Sequence, residues 1–371
     1  MYKIAIIKPI EDKKMAILDA YERKIIHTFF KIEVVSRTRG IEPSFLAVAE
    51  IPTMFDVFYK VKSLFDEGFN FTREYKLGDY SVNLQDVIFL DSDKEEVTVK
   101  SKINIDNCKF VCLMINAVDQ NDAVTVIKSN ETNQRTETAP KRENKEGYES
   151  SCHILISLEK GVAGKYFSLV DQVPKMGVSL ICSYINSVFY HVSVNFSSDF
   201  EIGKEFGALN SLGKKIKIRY RPFLSITGKP NLTFLENLSS DNVSNIKLIK
   251  YNKKSVNVDA HTIIEEEEHV VSIKPSLYIP DMRPWLKKVS TFYKNDLSFD
   301  CIKFSFKAED GNSQTADLSL IASESDDFDF EKLLTKKTII SGFNPTLKDS
   351  YDSINKDIML KLAEAHEKEL I

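Results

Sequence analysis

Apolar residues in this chain fall into short runs whose spacing changes repeatedly, and those changes outline its elements. YKIAIIK (Tyr2–Lys8) predicts a buried strand, and Met15–Phe30 carries apolar residues at helical or mixed spacing. FLAVAEIP (Phe45–Pro52) reads as another strand. Phe55, Phe58, Val61, Leu64 and Phe65 then follow at helical spacing until Gly68 ends the helix. Three β-rich runs, Val87–Leu90, Glu96–Lys100 and Lys109–Ile115, suit a mixed sheet, so residues 1–128 are expected to form an N-terminal α/β domain.

Residues 129–150 contain one aromatic and almost no aliphatic side chain, too little apolar surface to offset ordering entropy, and predict a polar linker or long loop. Beyond it, His153–Leu158 resumes β-character. KYFSLVDQV and VSLICSYINSVF, separated by Pro174 and Gly177, predict a helical hairpin within a region 151–206. Residues 207–371 are expected to form a β-rich domain. A helix from Met282 to Tyr293 has Trp285, Val289 and Phe292 on one stripe, and a terminal helix carries Ile354, Ile358, Leu360 and Leu362. The fold class expected is α+β.

Composition narrows the chemistry only modestly. With 371 residues the chain can hold two or three cores, and 43% hydrophobic and 28% charged residues are those of a folded protein. A formal charge of −4 supplies no global attraction to polyanions, so any such binding must be local. Five scattered cysteines read as free thiols in a reducing compartment. Without a signal-like start or a long apolar span, the expected location is the cytoplasm, with no membrane insertion.

The phosphate-loop, dinucleotide, zincin and hydrolase-elbow motifs are missing, so no catalytic residue, cofactor or metal is assigned. Cys108 and Cys112 read as buried thiols, because two sulfurs alone make no zinc site. HTIIEEEEHV places His261 and His269 around Glu265–Glu268. Neighbouring side chains diverge, so the run reads as a solvated acidic turn rather than a convergent metal site. The hairpin also has the outline of a helix-turn-helix at Gly177–Ser179, but its second helix offers no Arg or Lys to a base or phosphate.

Lys215-Ile216-Lys217-Ile218-Arg219-Tyr220-Arg221 alternates strictly. As a strand it sets Lys215, Lys217, Arg219 and Arg221 on one face and Ile216, Ile218 and Tyr220 on the other. Lys214 and Lys229 add to the charge, and the sequence between Glu205 and Glu236 holds no acidic residue. Such a row suits phosphate binding through counterion release, and it equally suits a lysine-protected sheet edge. A second basic face is formed by Arg283, Lys287 and Lys288 on the predicted helix.

In its C-terminal half the chain resembles the RexA-like phage exclusion proteins. The strings that carry the likeness are KIKIRYRPFLSI, IKPSLYIPDMRPWLKKV (Ile273–Val289), IKFSFKAEDGNSQTADLSL (Ile302–Leu320) and the terminal DIMLKLAEA. The resemblance implies a homodimer that binds double-stranded DNA without sequence preference and excludes other phages together with a small membrane protein. Its charged positions here are Lys274, Lys287 and Lys288. Two alternatives stand beside it. One is a metal-dependent nuclease using Glu265–Glu268 or Asp326–Asp329, and the other is a scaffold whose basic strand meets an acidic protein partner.

Overall fold

A computed structural model of the chain describes residues 20–38, 46, 49–97, 105–122, 124–202, 209, 212–213, 217–229, 231, 241, 243–258, 261–275, 278–282, 284–286, 288–289, 292, 299, 301–307, 313–319, 335–344 and 346–369; for 105, 142, 251–258, 261–268, 301, 306–307 and 313–319 it describes the backbone alone. The chain divides into two compact units, one of residues 1–226 with 338–371 and one of residues 227–337. Both helices and strands are present, as the α+β reading expects.

The first unit is built on a large sheet. Its strands are β1 (Glu22–Ser36), β2 (Arg73–Tyr75), β3 (Tyr80–Leu90), β4 (Phe110–Asp119), β7 (Tyr148–Ser157), β8 (Lys165–Asp171), β9 (Glu201–Ile202) and β10 (Ile218–Gly228). They lie in the order β2-β3-β4-β7-β8-β1-β10-β9. The pairs β2–β3, β3–β4, β4–β7, β7–β8, β1–β8 and β9–β10 are all antiparallel, where the sequence predicts a mixed sheet. A further strand, β15 (Lys337–Ser341), pairs with β1.

Helices cover both faces of this sheet. On one lie α1 (Met54–Asp66) and α2 (Val178–Asn195), packed over Val111, Leu113, Ile115 and Ile154. On the other lies α3 (Lys356–Lys368), packed over Phe110, Cys112, Met114 and Leu155. Double coverage explains why β4 is an almost unbroken apolar run, since successive side chains point to opposite, equally buried faces. α1 begins where Thr53 accepts from the Asp56 N–H and the Asp56 carboxylate accepts from the Thr53 N–H. Of the expected stripe Phe55, Phe58, Val61 and Leu64 are buried and Phe65 is half-buried, and Met54 and Val57 are buried beside them.

Several expectations change. Residues 22–30 form a strand, because Ile25 and His27 face α3 while Phe30 faces α1 and α2, and burial on both faces erases the period of two. For the same reason KYFSLVD is strand β8, so the predicted helical hairpin is a strand followed by a helix. The described residues around FLAVAEIP are not strand. Segment 129–150 lies inside the first unit: it carries β6 (Arg135–Thr138), which pairs with β5 (Thr125–Lys128) just before it, and runs into the start of β7. Leu360 is exposed, so the buried stripe of α3 runs through Ile358, Met359, Leu362, Ala363 and His366 instead. The predicted strand at residues 2–8 lies outside the described residues.

The approach to α3 is irregular backbone held by side chains of the sheet. Arg23 donates to the Lys348 carbonyl (2.8 Å), Asn116 to the Tyr351 carbonyl (3.1 Å) and Gln85 to the Asp352 carbonyl (3.1 Å). The Ile354 N–H donates to Asp86 (2.9 Å) and the Asn355 N–H to His153 Nε2 (3.1 Å). Several of these bonds satisfy backbone groups at partly buried positions, where an unpaired group would be penalised.

Beneath this segment Asp171 Oδ2 stands 3.7 Å from Arg23 Nε and 4.0 Å from His153 Nδ1, all three residues being buried. Burial pushes the Asp171 carboxyl up to about 7 against the pull of Arg23. Burial, with Arg23 acting in the same direction, pushes His153 down to about 3. These shifts oppose each other in stability. Asp171 contributes fully below about pH 4 and loses its contribution as pH rises to 7; His153 contributes above about pH 6.5 and loses its contribution as pH falls toward 3. The combined contribution of this pair should therefore be nearly flat between pH 4 and 6.5. In His153→Gln, which keeps an acceptor for Asn355, the urea midpoint should fall as pH rises from 4 to 7, reflecting a loss of unfolding free energy of up to about 1.4 kcal/mol per pH unit. A midpoint that climbs over that interval in the variant would contradict the assignment.

In the second unit β11 (Val243–Val258), β12 (His261–Ile273), β13 (Cys301–Lys307) and β14 (Ser313–Ser319) form an antiparallel sheet in the order β12-β11-β13-β14. Its core joins Val243, Ile246, Leu248, Ile302 and Phe304 to Met282 and Leu286, with Trp285 and Val289 against them; Phe292, expected on that stripe, is exposed. The Glu run is strand rather than a turn, with Glu265 and Glu266 in register with Lys254 and Lys253. Chain entry and exit are clamped together: the Lys336 N–H donates to the Lys229 carbonyl, and a Cβ on Gly228 would collide with the Thr335 side chain.

Candidate nucleic-acid interface

β10 shows the alternation read from the sequence. Ile218 and Tyr220 are buried in the core shared with α1 and α2, while Lys217 and Arg219 have side chains 55% and 54% exposed. Neutralisation comes from a tertiary neighbour, because Glu201 on β9 lies 2.5 Å from Lys217 Nζ and 3.1 Å from Arg219 Nε. Lys217, followed by Arg219, holds the Glu201 carboxyl below its usual range. One carboxylate thus meets two cations, and both keep outward-facing charge.

Beyond its pairing with β9, the edge of β10 is covered by α2. The Asn186 amide donates to the Leu224 carbonyl and accepts from the Leu224 N–H, both at 2.8 Å, and so takes the place of a neighbouring strand. Pro222, two residues earlier on the same edge, has no N–H to satisfy. The edge reading and the basic-row reading therefore both apply: the backbone is capped by α2, and the charges remain.

Arg221 turns toward α2. Its Nη1 donates to the Asn186 carbonyl at 3.2 Å, and its guanidinium lies 5.6 Å from the Phe223 ring centre. Two further arginines join it along the same helix. Arg73 of β2 donates to the Ser183 carbonyl at 3.0 Å; Arg37, just past β1, donates to the Ser193 carbonyl and lies over the Tyr190 ring at 5.4 Å. Ser183 to Ser193 spans about 15 Å of helix. Burial lowers the Arg221 pKa first, Arg37 lowers it further, and Tyr190 opposes them. Two guanidiniums are thus held close enough to repel. Each arginine spends part of a five-donor fork on a helix carbonyl and keeps the remainder for a ligand.

An open groove of about 850 Å³ runs along α2 past Arg73 and Arg221, lined also by Ser179, Ser183, Tyr190 and Phe223 among others. Among the described residues lining it there is no Asp or Glu. The Arg37 N–H donates to the Arg219 carbonyl at 2.7 Å, which ties the backbone of Arg37 to the Lys217–Arg219 corner outside the groove.

The other expected contact residues fall elsewhere. Lys229, Lys274 and Lys288 belong to the second unit, where Lys274 and Lys288 are exposed and Lys229 is half-buried. Lys214, Lys215, Arg283, Lys287 and the acidic residues Asp326–Asp329 lie outside the described residues. Since β8 is a strand, the helix-turn-helix outline around Gly177 does not form. Cys108 and Cys112 are buried thiols whose pKa values burial pushes up. Among the described residues no group of three or more His, Cys, Asp or Glu is placed to hold a metal ion, and no helix is long and apolar enough to cross a membrane.

Sequence reasoning missed Arg37 and Arg73. Neither belongs to a regular basic row in the sequence, and only the meeting of β1, β2 and β10 beside α2 brings them to Arg221. Comparison with family models, curated proteins and solved structures gives no match.

Proposed function

We propose that this protein binds nucleic acid, DNA in the first instance, through the phosphate backbone and without reading base sequence. The observation that carries this is the row of Arg37, Arg73 and Arg221 along α2, continued by Lys217 and Arg219, with Glu201 the one carboxylate ion-paired to it among the described residues. Phosphate oxygens would complete the guanidinium forks, and released counterions would supply the free energy. The effector role in phage exclusion, the homodimer and the small membrane partner are supported by the C-terminal resemblance alone.

A gel-shift series on unrelated duplexes at several salt concentrations tests this reading. Expected are equal affinities across sequences and a log–log salt slope of roughly −3 to −4, since about four phosphates would be engaged. Binding confined to one sequence, or affinity indifferent to salt, would overturn it. Tight capture of an acidic protein with no DNA shift at low salt would favour the scaffold alternative.

A further inference from the structure

The groove along α2 is larger than a phosphate needs. Its volume of about 850 Å³ lies within the range of pockets that hold whole small ligands, roughly 300–1,000 Å³. Arg73 and Arg221 are anchored to the carbonyls of Ser183 and Asn186, three residues apart on one helix face, so their free donors are set about one turn from each other. Past them the lining becomes aromatic, with Phe223 two residues on from Arg221 and Tyr190 one turn on from Asn186. Tyr190 is 46% exposed although its neighbours Phe189 and Val188 are buried. Serine hydroxyls from Ser179 and Ser183 line the wall between.

We propose that this groove receives one nucleoside phosphate unit, with the phosphate at Arg73 and Arg221 and the base against Tyr190 and Phe223. The proposal rests on the phosphate-binding reading above and adds to it a preference for unpaired nucleotides. A base inside a duplex has its faces covered by its neighbours, whereas an unpaired base offers a face to an aromatic side chain. The unit could come from a free mononucleotide or from a nucleotide within a single strand, and both present the same chemistry to the groove.

The test uses the full chain and fluorescence anisotropy with labelled oligo-dT of twenty nucleotides and a duplex of equal length. Wild type should bind the single strand more tightly. Tyr190→Ala and Phe223→Ala should each weaken single-strand binding by roughly 5- to 150-fold and Tyr190→Phe should retain it, while duplex binding should fall far less, since these alanine variants leave the arginines themselves in place and remove only the rings packed against Arg37 and Arg221. Circular dichroism melting identifies any variant that has lost its fold. Competition separates the sources: dTMP displacing the strand at much lower concentration than inorganic phosphate marks the free nucleotide, and equal displacement by the two marks the strand. If both alanine variants stay folded and bind the single strand like wild type while duplex binding persists, the nucleotide groove is refuted and the phosphate reading stands. If wild type binds neither nucleic acid, the phosphate reading itself fails.

Discussion

Changing Arg37, Arg73 and Arg221 together to Ala should weaken duplex binding at low salt by about three orders of magnitude and flatten the salt slope by nearly three. Each charge-assisted hydrogen bond removed should cost about 1.5 kcal/mol, the low end for bonds to charged groups, and each phosphate freed should take back about one counterion. Their replacement by Lys should preserve most of the slope, because the charge remains, while losing affinity with the planar fork. The Lys217–Arg219 corner should respond differently. Glu201 already offsets part of its charge, so the double alanine variant should flatten the slope by only about one. Glu201→Gln should act in the opposite direction, tightening binding and steepening the slope. A triple alanine variant that stays folded and binds duplex like wild type at equal ionic strength would remove the α2 row from the mechanism.

How much of this is legible in the sequence depends on which faces of each element are buried. α1 is plain there because one face meets the sheet and the other meets water, so Phe55, Phe58, Val61 and Leu64 stand out at helical spacing. The alternation of Ile218, Arg219 and Tyr220 is plain for the same reason, at a period of two. By contrast β1 and β8 lie between two helical layers. Their buried positions include Arg23, His27, Thr28 and Asp171, polar residues whose partners lie elsewhere in the fold. No local pattern announces such a strand. The site follows the same logic: Arg221 belongs to a readable row, whereas Arg37 and Arg73 gain meaning only from helix carbonyls distant in sequence. Glu201 is equally hidden, since it reaches the row across the β9–β10 pairing.

The terminal helix separates the two kinds of knowledge most sharply, because its existence is readable and its location is not. Its amphipathic pattern is evident, yet α3 packs on the sheet of the first unit against Ile25, Phe110, Met114 and Leu169, across the whole intervening second unit in sequence. Sequence spacing also sets Leu360 on the inward stripe, whereas the structure exposes it and buries Ile358 and Leu362 completely. Stability measurements discriminate these assignments. Leu362→Ala should destabilise the first unit by about 2–5 kcal/mol, the range for a buried leucine whose cavity cannot fully collapse. Ile358→Asp should cost still more, because the carboxylate would be buried among apolar side chains without a partner. Leu360→Asp should stay within about 0.5 kcal/mol of wild type, as exposed substitutions do. Hydrogen exchange followed by mass spectrometry would locate the damage: in Leu362→Ala, protection should fall in β4, β7 and β8 and remain unchanged in β11 and β13. Loss of protection in β11 and β13 instead would return the helix to the β-rich unit, and a Leu360→Asp variant as damaged as Leu362→Ala would restore the inward stripe read from the sequence.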